Sequence, residues 1–270
     1  MRAENEVGFG TVKFFRGEFV DGERLTRRAM SLVDEASAEY TASELFILPT
    51  DPWVSMRTHH ALLLWQRGDL DEMRRQFADG RRRTADLPFP QGPFSDCYLH
   101  SYEAWVLTEL GELDAADRAI SRLETLAAEH RFDFWAIAGA AARAILTTRR
   151  ELAGPSPDAG VLEIQSTTLE GSLMMWQMLD TQLLVPYLRT VLGEVRLALG
   201  QPHEAIAQLD AAAAFASTSG CRFYLAETNR IRAMALRAIG DDDAADTSLA
   251  EALRLAEEQG SVPFAETRHR

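Results

Sequence analysis

The sequence has a single lysine, two cysteines and no long uncharged apolar run, and each scarcity removes a class of protein. Cys97 and Cys221 cannot frame a disulfide-stapled domain and fit a reducing cytoplasm, which is the expected location. No segment approaches the roughly 18 consecutive apolar residues of a membrane helix, so no membrane association is expected. The opening Met-Arg-Ala-Glu-Asn-Glu lacks the apolar segment of a signal peptide. The lone lysine, Lys13, lies in Gly8-Phe9-Gly10-Thr11-Val12-Lys13. That run does not fit the phosphate loop, G-x-x-x-x-G-K followed by Ser or Thr, and falls inside a predicted helix. Positive charge is short overall, with 28 Lys and Arg against 41 Asp and Glu and a net charge of −13. A nucleic-acid partner needs clustered cations, so none is expected, and the acidic surface serves solubility.

What is present is a core-forming composition, 46% hydrophobic over 270 residues, and an internal repeat. An apolar helix, a glycine with a polar or small pair, and a second helix recur. The copies read Phe15-Arg16-Gly17-Glu18-Phe19, Gln66-Arg67-Gly68-Asp69-Leu70, Glu109-Leu110-Gly111-Glu112-Leu113, Ala198-Leu199-Gly200-Gln201-Pro202 and Ala238-Ile239-Gly240-Asp241-Asp242. Ala153-Gly154-Pro155 is a weaker copy. Small residues stand seven positions before the glycine, at Gly10, Ala61, Ala104, Gly193 and Ala233. Five positions after it come Gly22, Met73, Ala116, Ala205 and Ala245, and four further on Phe77, Ile120, Leu209 and Leu249 in most copies. Small residues let paired helices approach, a large one fills the gap to the next pair, and the glycine ends its helix in a left-handed cap.

The pattern predicts six hairpins of an A and a B helix, at about 4–36, 52–84, 94–129, 133–178, 183–219 and 222–258, in one domain spanning 1–270. Residues 262–270 read as a partial terminal helix. Aromatics gather where A helices begin: Trp53, Phe94, Phe134, Trp135, Tyr187, Phe223, Tyr224 and Phe264. Neighbour contacts between hairpins are their expected use, since one hairpin cannot bury its own apolar face.

The small-residue positions resemble those of tetratricopeptide repeats. Units longer than the usual ~34 residues resemble the C-terminal helical region of bacterial signal-transduction ATPases, including LuxR-type and maltose-regulator-type activators and actinobacterial adenylate cyclases joined to an ATPase. The likeness rests on Ala61-Leu62-Leu63-Leu64-Trp65-Gln66-Arg67-Gly68-Asp69, Phe89-Pro90-Gln91-Gly92-Pro93-Phe94-Ser95, His130-Arg131-Phe132-Asp133-Phe134-Trp135 and Leu253-Arg254-Leu255-Ala256-Glu257-Glu258-Gln259-Gly260. It implies an all-α fold, an α-α superhelix or tetratricopeptide-like solenoid, with a concave groove lined by A helices. The ATPase and output modules of that family are expected to be absent from this polypeptide.

Chemistry-bearing groups are few. His59 and His60 are adjacent, so on a helix they diverge by about 100° and cannot share a metal unaided. Cys97 and His100, at i, i+3, place two ligand types on one face, but no further ligand has matching spacing, and a buried thiol beside a hydrogen-bonded imidazole is the simpler account. Ser95, Ser101 and His100 lack a nucleophile-elbow motif. No catalytic residue, cofactor or metal is therefore expected. The run Met174-Met175-Trp176-Gln177-Met178 suits either an adaptable surface or, as the ordinary expectation, a core. Counting from each turn glycine, the groove-facing positions are Thr58, Trp65, Ser101, Trp105, Glu109, Thr190, Glu194, Arg230 and Arg237, with Arg143 from the irregular fourth repeat. Trp and Arg are favoured binding hot spots. The expected function is a non-catalytic interaction scaffold in bacterial signal transduction or transcription regulation. It would hold a peptide or helix of a protein partner, such as a signalling ATPase or transcription regulator. The alternative is a sensor that binds a small ligand or signalling peptide inside the superhelix.

Overall fold

Each turn glycine does what its position demands. Gly17, Gly68, Gly111, Gly200 and Gly240 all have φ between 72° and 82°, a left-handed conformation that side chains resist. At the second repeat, Gly68 closes one helix by donating its N–H to Trp65 O, and Asp69 caps the next by accepting from Glu72 N at 3.2 Å. Asp241 repeats the cap on Ala244 N at 3.1 Å. Gly154 has no such conformation; that junction is turned instead by Pro155, Pro157 and the Asp158 cap on Gly160 and Val161.

The computed structural model describes residues 2–36, 49–179 and 182–266, which are helical throughout with no strand. In chain order the helices are α1 (Arg2–Phe15), α2 (Phe19–Ala36), α3 (Pro52–Arg67), α4 (Leu70–Asp86), α5 (Gln91–Glu109), α6 (Leu113–His130), α7 (Asp133–Ala153), α8 (Ala159–Met178), α9 (Val185–Ala198), α10 (Pro202–Ser219), α11 (Leu225–Ala238), α12 (Asp242–Gln259) and α13 (Val262–Glu266). Odd-numbered helices are the A members and even-numbered ones the B members. Helix α11 begins later than the spacing predicts, because Phe223 and Tyr224 fill the core from a turn ahead of it. Residues 267–270 of the predicted terminal helix lie outside the described residues.

The chain forms two compact units, Met1–Phe14 with Glu18–Gly139, and Phe15–Gly17 with Ala140–Arg270. In the first, α3 pairs with α4 and α5 with α6, and α3 also touches α5. Its core holds Phe14, Phe19, Leu63, Trp65, Phe77, Leu99 and Trp105; the Trp105 ring meets Phe14 at 6.1 Å and Trp65 at 5.8 Å, both edge-on. In the second, α9 pairs with α10 and α11 with α12. Tyr187, Tyr224 and Phe264, from the starts of α9, α11 and α13, stack edge to face at 4.8 and 5.3 Å. Aromatics thus join successive hairpins, each contact adding about 0.5–1.5 kcal/mol beyond its buried area. Among the described residues no helix is long and apolar enough to cross a membrane.

Candidate partner-binding faces

The predicted residues lie on A helices of both units. In the first unit, His59 of α3 lies against Tyr98 and Tyr102 of α5. Its Nδ1 is 3.0 Å from the Ser55 carbonyl and its Nε2 3.2 Å from the Tyr98 hydroxyl. The consistent tautomer donates from Nδ1 and accepts at Nε2. Burial pulls the imidazole down to about 4, so it is neutral at physiological pH. Burial also pushes the Tyr102 phenol up to about 12. The face is polar but uncharged. His60 turns the other way, toward Glu23 of α2 at 3.8 Å, as the 100° step requires.

Beside it, His100 sits between two carboxylates, 3.5 Å from Asp96 and 3.3 Å from Glu103. Asp96 also accepts from Thr84 at 3.0 Å and from Arg122 at 3.1 Å, tying α4, α5 and α6 together. Cys97 packs apart from this network, among Leu123, Leu126, Ala127 and Trp135. Desolvation pushes its thiol up to about 12, which keeps it protonated at neutral pH. Among the described residues no group of three His, Cys, Asp or Glu is placed to hold a metal ion.

The second unit carries the more informative face. Arg149 of α7 pairs with Glu194 of α9, both largely desolvated. On α11, Arg230 makes a forked pair with Glu227 at 2.8 and 2.6 Å. Burial works against the charge of Arg230, but the hydrogen bonds from Glu227 and the nearby Glu194 carboxylate outweigh it, and the guanidinium is held more firmly than usual. Beneath the row the hydroxyls of Thr190 and Thr228 meet at 2.7 Å. Charges therefore alternate across three A helices: plus on α7, minus on α9, plus and minus on α11.

Of the predicted positions, this row holds Glu194 and Arg230, with Thr190 buried beneath them. Arg237 lies on the exposed rim, 2.7 Å from Asp246, and Arg143 and Glu109 are half-buried. Ser101 is half-buried and donates to the Tyr98 carbonyl at 2.7 Å. Thr58, Trp65, Trp105 and Thr190 are buried. Both threonines bond to the carbonyl one turn back, and the tryptophans pack on each other, so none of the four offers surface to a partner. The spacing missed Arg149, Glu227, His59 and Tyr98; Glu227 was legible as the i, i+3 mate of Arg230. The methionine run is corrected. Trp176 is buried, but Met174, Met175 and Met178 face solvent, because α8 is covered on one side only, unlike α3, which is buried on all sides.

Among solved structures, one likeness decides the fold. The chain superposes on a Signal Transduction ATPase with Numerous Domains from Pyrococcus horikoshii, a protein with a tetratricopeptide repeat sensor, with a TM-score of 0.58 and 14% identity. The fold is tetratricopeptide-like. The match takes in 94% of this chain and 34% of the Pyrococcus protein, so the chain spans about a third of that relative's length. BtubC (BKLC) from P. vanneervenii is also similar, with a TM-score of 0.51 and 16% identity over 95% of this chain and 92% of that one. No protein-family model matches the sequence, and no curated protein does.

Proposed function

We propose that this chain is a non-catalytic regulatory module that binds a peptide or helix of a protein partner across its A-helix faces. The observation that carries the reading is the alternating row Arg149, Glu194, Arg230 and Glu227 in the second unit. These charges are fixed in place and mostly stripped of water before any partner arrives, so their electrostatic contacts are strong and directional. Glu109, Ser101 and Arg143 belong to the same faces, and Arg237 to their rim. The similarity to a signalling ATPase with a tetratricopeptide sensor supports a sensing or docking role in bacterial signal transduction or transcription regulation. A signalling ATPase or a transcription regulator is the corresponding partner.

The test compares wild type with a Glu194→Lys, Arg230→Glu double variant in affinity capture from the native lysate. The pair keeps net charge and exchanges the two inner charges of the row, setting a lysine beside Arg149 and a glutamate beside Glu227. A protein retained by wild type and reduced at least tenfold with a variant of unchanged circular dichroism supports the reading. Equal retention by both would place recognition elsewhere.

A further inference from the structure

Helix α8 leaves an apolar stripe uncovered. Ile164 is 64% exposed, Met174 62%, Met175 39% and Met178 74%, while Trp176, Leu169 and Leu173 on the opposite side are buried. With Thr167, Thr168 and Gly171, these residues recur every three or four positions, so they form one continuous face about 21 Å long. The exposed apolar side chains make a patch on the order of 500 Å², at the upper end of what a monomer ordinarily shows.

The stripe is symmetric about Gly171. Counting outward, Thr168 mirrors Met174, Thr167 mirrors Met175, and Ile164 mirrors Met178. The two threonine hydroxyls are already spent, donating to Glu163 and Ile164 carbonyls at 3.0 Å each, so their methyl groups are what they offer outward. A Cβ built on Gly171 meets nothing within 4 Å, in contrast to Gly193, whose position a neighbouring leucine fills. A glycine inside an exposed helix is less stable than an alanine there, and here the chain's own packing does not require it.

The geometry points to a two-fold homodimer in which α8 packs antiparallel on α8 of a second copy, crossing at Gly171. In that pairing Ile164 meets Met178 of the second copy, each threonine methyl meets a methionine, and the glycines allow close approach at the axis. Charge does not oppose it locally. The only charged residues of α8, Glu163 and Glu170, are met by Arg196 of α9 at 3.5 and 2.8 Å. Across the axis they face Leu179 and Ser172, not each other. Globally, two copies at −13 each repel, so added salt tightens this dimer. The area is at the low end for specific interfaces, which suits a dissociation constant of roughly micromolar order.

Sedimentation velocity over a concentration and salt series tests this. Wild type is expected to pass from monomer to dimer as concentration rises, with the dimer favoured by salt. Gly171→Leu keeps the helix and fills only open space in the monomer, yet blocks the crossing; it is expected to weaken association at least tenfold without lowering the melting temperature of dilute protein. Met174→Glu with Met178→Glu should do the same. Gly171→Cys places thiols on the axis, and diamide should link copies through it, whereas Gln177→Cys on the flank should not link. Both native thiols are buried and held protonated by desolvation. A wild type that stays monomeric at several hundred micromolar overturns the dimer and leaves the stripe to a different partner. A dimer that survives Gly171→Leu, or that salt weakens, overturns it as well.

Discussion

Gly193 of α9 and Leu209 of α10 test whether small-against-large pairing holds a hairpin together. A Cβ added at Gly193 would lie 2.7 Å from Leu209 Cγ, 2.9 Å from Cδ2 and 3.2 Å from Cδ1. Carbon atoms rest about 3.5–4.0 Å apart, so either α9 and α10 separate by roughly 1 Å or Leu209 leaves its rotamer. Leu209 has nowhere to go: it is fully buried among Ala205, Ile231 and Ala235. Overpacking of this kind costs about 1–3 kcal/mol, against a gain of about 1 kcal/mol from replacing a helical glycine. Leu209→Ala alone should cost about 2–5 kcal/mol through its cavity. With Leu209 truncated, Gly193→Ala meets no obstacle and should become stabilising by about 1 kcal/mol. The double-mutant cycle, measured by urea unfolding with unchanged m-values, should therefore show a coupling of about 1–3 kcal/mol. Additivity within about 0.5 kcal/mol would refute the steric account of the repeat. Gly171→Ala is the control: with open space around it, it should stabilise dilute protein by about 1 kcal/mol.

Three further perturbations follow from the same coordinates. His59 has a folded pKa of about 4, below its unfolded value of 6.5, so the unfolded chain binds the extra proton and stability falls as pH drops from about 6.5 to about 4. His59 should account for about 2 kcal/mol of the stability lost between pH 7 and pH 5, and His60, which burial also lowers, adds to the loss; His59→Gln should therefore shrink the difference by about 2 kcal/mol in urea unfolding, and an unchanged slope would show the imidazole to be solvated. Glu194→Gln should cost about 1–3 kcal/mol by removing the carboxylate that faces the desolvated Arg149, while the Arg149→Met, Glu194→Leu pair should cost less, and Arg254→Gln, on an exposed side chain, should leave the unfolding midpoint unchanged. Asp51 caps α3 through Val54 N at 3.0 Å and also accepts from Arg83 at 3.1 Å, whereas Asp241 only caps α12. Asp51→Ala should thus lower the unfolding free energy by about 2 kcal/mol and Asp241→Ala by about 1, and equal losses would argue that Arg83 contributes nothing.

The hairpins were legible because their requirements are local. A left-handed turn admits glycine and resists other residues, and a close helix crossing admits Gly or Ala, so Gly68, Gly200 and Gly240, or Gly193 and Ala61, announce geometry from identity alone. The fourth repeat blurred because its turn is built from Pro155, Pro157 and the Asp158 cap, a different local solution to the same reversal. The start of α11 slipped for a non-local reason. Phe223 and Tyr224 have helix-compatible neighbours, but burying both rings fixes a turn ahead of the helix that no periodicity signals.

The candidate faces divide along the same line. Register from the turn glycine puts the predicted positions on A helices, yet depth within the hairpin depends on what packs above, and Thr58, Trp65, Trp105 and Thr190 are buried. Charge counts carry even less. Arg24, Arg27, Arg75, Arg82 and Arg254 pair with acids three or four positions away on their own helices, contacts that cost little to lose. Arg149 and Arg230 are chemically identical to these and differ only in being held among three helices with little water. The methionines of α8 make the complementary case. Helical geometry alone requires that Met174, Trp176 and Met178 cannot share one side, but which of them faces solvent depends on whether another layer of protein covers the helix. Desolvated charge at one face and uncovered apolar surface at another are therefore properties of placement, and both become evident only once the hairpins are assembled.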